Sequence, residues 1–157
     1  MNIKFFYFQS NKEDWCTLAQ SVYKKKITPF YPFEFKIIKS VNLKRSQRLE
    51  KVKKEETLLL KNLNKDDYLV LFDENGKKYG TSEQFAEGVQ RVIELNKKSI
   101  VFLIGGSFGV SELVKERANL KINLSTLTMN HHVALVVALE QIYRSLCIMK
   151  NIPYHNR

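Results

Sequence analysis

Five short runs of β-branched and aromatic residues, separated by stretches of helical periodicity, constrain this chain more than any other feature. They are "IKFFYF" (3–8), "FEFKIIK" (33–39), "YLVLF" (68–72), "SIVFLIGG" (99–106) and "KINLSTLTM" (121–129), the last running into a loop. Mostly unbroken apolar strands between helices predict a mainly parallel sheet covered by helices on both faces, an α/β fold. The punctuation agrees. Asn11 or Asp14 can cap a helix over 15–26, which "TPFYP" ends because both prolines disfavour helix. A long basic helix is predicted over 44–62, with Leu49, Val52, Leu58 and Leu59 as its inward stripe. "ENGK" (74–77) reads as a turn, and Thr81 or Ser82 caps a helix patterned from Phe85 to Ile93. The remaining helices are expected over 110–118 and 131–150, with Pro153 stopping the last.

With 157 residues, 44% of them hydrophobic, the chain suits a single domain over 1–157 with a real core. No internal repeat or low-complexity linker interrupts it. The opening segment lacks the long apolar centre of a signal peptide, and no uninterrupted apolar run approaches the length of a membrane span. A cytoplasmic protein without membrane attachment is expected. Cys16 and Cys147 stand far apart with no CxxC spacing, so neither a disulfide framework nor a zinc site is expected, and no Cys/His/Asp cluster at ligand spacing calls for a metal. The net charge of +10 is unevenly spread: residues 24–65 hold thirteen Lys and Arg against four Glu. Such a block either attracts a polyanion or is merely a solvated face.

"FLIGGSFGVSE" (102–112) places glycines where a strand ends and a helix begins. Ligands of open parallel sheets bind there, beyond the carboxyl ends of the strands. "GGSFG" has the wrong spacing for GxGxxG, and no GK[ST] follows, so both nucleotide fingerprints are missing. That argues against a dinucleotide-dependent oxidoreductase. Taken alone, the glycines fit a plain turn equally well. The ends of the third strand (Phe72-Asp73) and the fifth ("LSTLTM") bring two further segments to the same edge. A pocket built from apolar side chains and backbone polar groups suits a neutral adenine and a sulfonium better than a triphosphate.

The succession "FLIGGSFGVS", "LSTLTMNH", "LEQIYR" and terminal "PYHNR" resembles the SPOUT-class methyltransferases and, within them, the ribosomal RNA large subunit methyltransferase H family. The length, the first strand and helix, and the Phe72-Asp73 strand end match as well. The resemblance implies a homodimer with its C-terminal part, 99–157, tied in a trefoil knot and binding S-adenosyl-L-methionine. The implied reaction is methylation of N3 of a pseudouridine in large-subunit (23S) ribosomal RNA, with 24–65 facing the RNA. Carried over, the cofactor site is Phe72, Gly105, Leu124, Ser125, Thr126, Leu127, Thr128 and Met129, the glycines admitting the cofactor against bare backbone. Phe72 stands, conservatively, where leucine is usual, and two further positions depart from the family pattern. Asn130 replaces the proline of a Pro-His pair, and Leu135 stands where an arginine is usual.

The last helix is apolar around most of its circumference, which calls for cover on more than one side and makes a symmetric partner plausible. Glu140 and Arg144 sit at i,i+4, as an intrahelical pair or as a charge pair near the site. In the tail, Tyr154 offers a stacking face, His155 a titratable nitrogen and Arg157 a phosphate contact. The resemblance brings this tail to an active site near the dimer interface. The N3 proton then has His131, His155 and Tyr154 as candidate acceptors, with Arg144 available for phosphate or base. His132 is expected to be structural. The rival readings are a non-catalytic RNA-binding module that keeps the SPOUT fold, and an enzyme of that class with another RNA target.

Overall fold

A computed structural model of the chain describes residues 1–154. Five strands, β1 (Asn2–Gln9), β2 (Phe33–Lys39), β3 (Tyr68–Lys78), β4 (Ser99–Ile104) and β5 (Leu120–Asn123), form one sheet in the order β2-β1-β4-β3-β5. Every pairing is parallel, as the apolar runs predicted. The helices are α1 (Asp14–Ile27), α2 (Arg48–Asn62), α3 (Ser82–Glu94), α4 (Glu112–Arg117) and α5 (His131–Met149).

Side chains alternate across the sheet with period 2. Ile3, Phe5 and Tyr7 of β1, Val70 of β3, and Ile100, Phe102 and Ile104 of β4 face α1, α3 and α5. Phe6, Phe8, Leu69, Leu71, Val101 and Leu103 point the other way, under Leu59 of α2 and Val114 of α4. Both faces are therefore covered. α5 lies against α1 and α3, and Leu135, Ala138, Leu139, Ile142 and Leu146 are fully enclosed. Its 19 residues are long and apolar enough to cross a bilayer by composition, yet this buried stripe makes it the central helix of one sheet face. Val133 of α5 and Trp15, Leu18 and Val22 of α1 stay exposed, so one apolar flank remains uncovered in the single chain.

Several sequence expectations need correction. α2 does not bury the leucine stripe: Leu49 is 85% exposed and Leu58 is at the surface, whereas Lys51, Glu55 and Leu59 (i, i+4, i+8) point inward. Only Leu59, toward its C-terminal end, joins the sheet's apolar core; Lys51 and Glu55 meet Ser107 and Ser40 in polar loops beyond the strand ends. α1 begins at Asp14 behind Glu13 without a side-chain cap, so neither Asn11 nor Asp14 caps it. Thr81 does cap α3, its hydroxyl accepting from Gln84 N at 3.2 Å. β4 stops at Ile104, and β5 ends at Asn123 because the Asn123 and Ser125 side chains take the amides of Ser125 and Leu127 into a turn.

The "ENGK" turn lies within β3 rather than after it. Phe72 and Lys77 both pair with Ile122, so residues 73–76 bulge out and the strand resumes alongside β5. Asp73 Oδ1 accepts from Asn75 N at 2.8 Å, and Asn123 Nδ2 donates to the Glu74 carbonyl at 2.6 Å, fastening the bulge to β5.

Candidate functional site

The carboxyl ends of β3, β4 and β5 open into two adjoining cavities, of about 420 and 940 Å³, which share Phe72, Asp73, Glu74, Ile104, Met129 and Ala134 as lining. Volumes in this range suit a small-molecule ligand. Three separate segments make the walls: the β3 bulge, the loop 105–111, and the loop 124–129 leading into α5. All eight cofactor candidates, Phe72, Gly105, Leu124, Ser125, Thr126, Leu127, Thr128 and Met129, line this cleft. They are distant in sequence and meet because a parallel sheet puts all its strand ends on one side.

Charged side chains, among them Asp73, Glu74, Lys78, Arg45 and Arg48, share the polar lining of the cleft with its backbone, so it is more polar than the apolar pocket expected from the sequence. The amides of Thr126, Thr128 and Met129 find no hydrogen-bond acceptor among the described residues, so they are free to serve a ligand. Phe72 stacks on Phe5 and Phe102, with centroids 6.2 and 6.0 Å apart, which holds its ring at the cleft floor. An apolar floor with unpaired amides beside it suits a flat heterocycle with polar edges.

The glycines answer mainly to the protein. A Cβ on Gly105 would stand 2.8 Å from Cγ1 of Val110 and 3.1 Å from the carbonyl carbon of Gly109. One on Gly106 would meet the Glu55 carboxylate at 2.6 Å. The chain reverses here: Gly109 N donates to the Gly106 carbonyl at 3.0 Å, and Gly109 adopts φ +76°, the left-handed region that glycine favours. Bare backbone at 105–106 thus lets the reversal close against Val110 and Glu55.

His131 opens α5 and lines the larger cavity. Burial first, then repulsion from His132 and Lys51, pushes its imidazole down to about 4, so it is neutral at physiological pH. His132 is structural, as expected. It is buried, its Nδ1 shares a hydrogen bond with the Tyr7 hydroxyl, and Trp15 stands edge-on at 6.2 Å. Burial raises the Tyr7 phenol above its usual range, so it keeps its proton near neutrality. Asn130 caps α5, accepting from His132 N at 2.8 Å. Leu135 is fully buried in the core and stands outside the cleft.

Arg144 and Tyr154 lie elsewhere. Thirteen residues of helix separate Arg144 from His131, about 20 Å at 1.5 Å per residue. A single chain therefore does not bring them into the cleft. Arg144 donates through Nε and Nη2 to Glu140 Oε1, at 2.9 and 2.5 Å, and its guanidinium lies 4.9 Å from the Tyr154 ring centre. Tyr143 packs edge-on against Tyr154 at 4.7 Å, and Lys26 stands 5.1 and 5.4 Å from those two rings. The intrahelical pair is formed, within a second polar-aromatic cluster. Burial, then the Glu140 charge, raises the Tyr154 phenol, which keeps it protonated near neutrality. His155 and Arg157 lie outside the described residues.

The basic segment 24–65 is partly self-neutralised. Lys53 pairs with Glu56 at 2.5 Å, Lys54 with Glu50 at 2.6 Å, and Lys51 with Glu55 at 3.9 Å. Arg45 and Arg48 have no ion pair among the described residues, and with exposed Leu49 they rim the larger cavity. Among the described residues no group of three His, Cys, Asp or Glu gathers to hold a metal ion. Sequence reasoning missed the cleft positions of Arg45, Arg48, Leu49 and Glu74, since only the overhang of α2 and the β3 bulge bring them there.

A family model described as "Predicted SPOUT methyltransferase" matches residues 1–155. Among curated proteins, the ribosomal RNA large subunit methyltransferase H of Bdellovibrio bacteriovorus is 44% identical over 156 residues, 99% of each chain. The protein of the same name from Parabacteroides distasonis is 40% identical over 139 residues, 88% of each chain. That from Dictyoglomus thermophilum is 34% identical over 157 residues, 99% of each chain.

Proposed function

The chain belongs to the SPOUT methyltransferase family, and on that premise we propose that it methylates N3 of a pseudouridine in large-subunit ribosomal RNA, with S-adenosyl-L-methionine as donor. It acts in the cytoplasm as a homodimer, and its C-terminal part forms a trefoil knot, one of the rare exceptions to unknotted topology. The observation that carries the donor assignment is the cleft at the ends of β3–β5, where the unpaired amides of Thr126, Thr128 and Met129 stand beside the Phe72 floor. The ribosomal RNA comes from the name its relatives bear.

The residues of the cleft fit that donor. Phe72, Gly105, Leu124, Ser125, Thr126, Leu127, Thr128 and Met129 would hold it, Phe72 offering an apolar face and the amides of Thr126, Thr128 and Met129 offering hydrogen-bond donors. When bound, it supplies a methyl group on a sulfonium, already an excellent leaving group. The protein's task is then alignment, which accounts for much of the barrier to such a transfer. Arg45 and Arg48 at the cleft rim hold RNA phosphates and orient the strand. His131, neutral near pH 7, offers one nitrogen to the base but is a weak proton acceptor. Tyr154 stays protonated and serves by stacking or donating, which leaves His155 or solvent to take the N3 proton.

Arg144 and Tyr154 reach the chemistry only from a second copy. The exposed apolar flank of Val133, Trp15, Leu18 and Val22 adjoins α1 and α5 and suits burial against that copy. One subunit then holds the donor while the other contributes Arg144, Tyr154 and His155. The test is incubation with labelled donor and ribosomes lacking this modification, followed by mass spectrometry of the large-subunit RNA. Label on N3 of a single pseudouridine is expected. Donor binding without transfer would favour the non-catalytic RNA-binding module, and transfer to transfer RNA alone would favour a different RNA target.

A further inference from the structure

α2 is docked by charge where most helices dock by apolar contact. Lys51 and Glu55, each with a side chain 4% exposed, stand 3.9 Å apart on its inward face. Both reach the reversal after β4. Lys51 Nζ donates to Ser107 Oγ at 3.2 Å and lies 5.4 Å from the Phe108 ring centre. The Glu55 carboxylate fills the space that a side chain on Gly106 would need. Oε1 of Glu55 accepts from the Ser40 hydroxyl, whereas Oε2 is buried without a partner. Ser107 and Phe108 line the larger cavity, while Lys51 and Glu55 do not.

Burying an ion pair is costly, and an apolar pair of similar size often stabilises a protein as well or better. A buried pair with one oxygen left unsatisfied is therefore poorly explained by stability. We infer that Lys51 and Glu55 are positioning residues for the donor site: anchored to β2 through Ser40, they clamp the 105–109 reversal from behind and fix the cleft wall formed by Ser107 and Phe108. The inference rests on the donor assignment above. The clamp also ties the wall to α2, which begins at Arg48 directly after the 3-10 turn holding Arg45, so the donor wall and the cationic rim are set together.

The full-length protein tests this with two variants. Lys51→Met combined with Glu55→Leu removes both charges and leaves neither buried alone, so its melting temperature should stay within a few degrees of the parent. Its affinity for S-adenosylmethionine by calorimetry should nevertheless fall about tenfold, the equivalent of one lost charge-assisted hydrogen bond. Amide hydrogen exchange at 106–110 should accelerate in the same variant while exchange in the strands does not. Ser40→Ala, outside the cleft and at the far end of the clamp, should weaken donor binding in the same direction by a smaller factor. If the double variant fails to fold, Ser40→Ala decides alone. A stable double variant, or a folded Ser40→Ala protein, with parental donor affinity and parental exchange at 106–110 overturns the inference. A parent protein that binds no donor overturns the functional reading instead, and the exchange arm still reports on the clamp.

Discussion

Gly76→Ala is the most informative single change at a residue that does not itself line the cleft. In the sequence Gly76 is an ordinary turn residue. In the fold a Cβ placed there would stand 2.5 Å from Ile122 N and 2.6 Å from Ile122 C and Lys121 C. These are backbone atoms of β5, so no rotamer change relieves the overlap. Relief requires β3 and β5 to part by nearly an ångström, at the stretch where Lys77 pairs with Ile122 and Lys78 with Asn123. Overpacking of this kind costs about 1–3 kcal/mol. Losing one or two ladder hydrogen bonds adds about 1 kcal/mol each. The sum, roughly 2–5 kcal/mol, corresponds to a fall in melting temperature of the order of 10 °C for a chain of this size. Because β5 leads directly into Leu124, the same displacement should weaken donor binding in calorimetry. Thermal unfolding and donor titration of the purified variant are the assays. A variant that melts within about 1 °C of the parent and binds the donor equally well would refute the close approach of the bulge to β5.

Other changes probe different levels of the fold. Leu139→Ala removes a fully buried α5 side chain and should cost about 2–4 kcal/mol in urea unfolding, a deficit that an unchanged midpoint would contradict. His131 is depressed to about 4 in the folded chain against an ordinary 6.5, so the unfolded chain binds the extra proton first. Its contribution is complete above pH 6.5 and lost as pH falls toward 4; His131→Gln should flatten that part of the stability profile, and an unaltered slope would show the imidazole to be solvated. Deleting 153–157 should abolish methylation while donor affinity and melting temperature stay near parental values, whereas unfolding would make the tail structural. Arg144→Ala should lower methylation with donor affinity unchanged, and a mixed dimer pairing it with a donor-site variant should retain one working site; no activity in that mixture counts against a shared site.

What could be read from the residues alone follows from spacing. Unbroken apolar runs rich in Val, Ile and Phe mark strands covered on both faces, because the pleat sends alternate side chains to opposite faces. Tyr7 and Phe8, Leu103 and Ile104 fall on opposite faces accordingly. The parallel order then places "IGG", "FD" and "LSTLTM" on one edge; the eight cofactor candidates themselves came from the family resemblance, and all of them line one cleft at that edge. Motif order supplied the family.

The tertiary structure alone decided the faces of α2, the roles of the glycines and the separation of Arg144 from His131. A helical wheel assumes that the covering partner is apolar; α2 overhangs a polar loop, so Lys51 and Glu55 turn inward and Leu49 outward. A glycine looks the same in a turn, a ligand cradle or a close approach, and only its neighbours in space show that Gly76 yields to β5 and Gly106 to Glu55. Sequence carries periodicity and local preference because these act through near neighbours along the chain. What fills the space beside a residue depends on segments folded against it from far away.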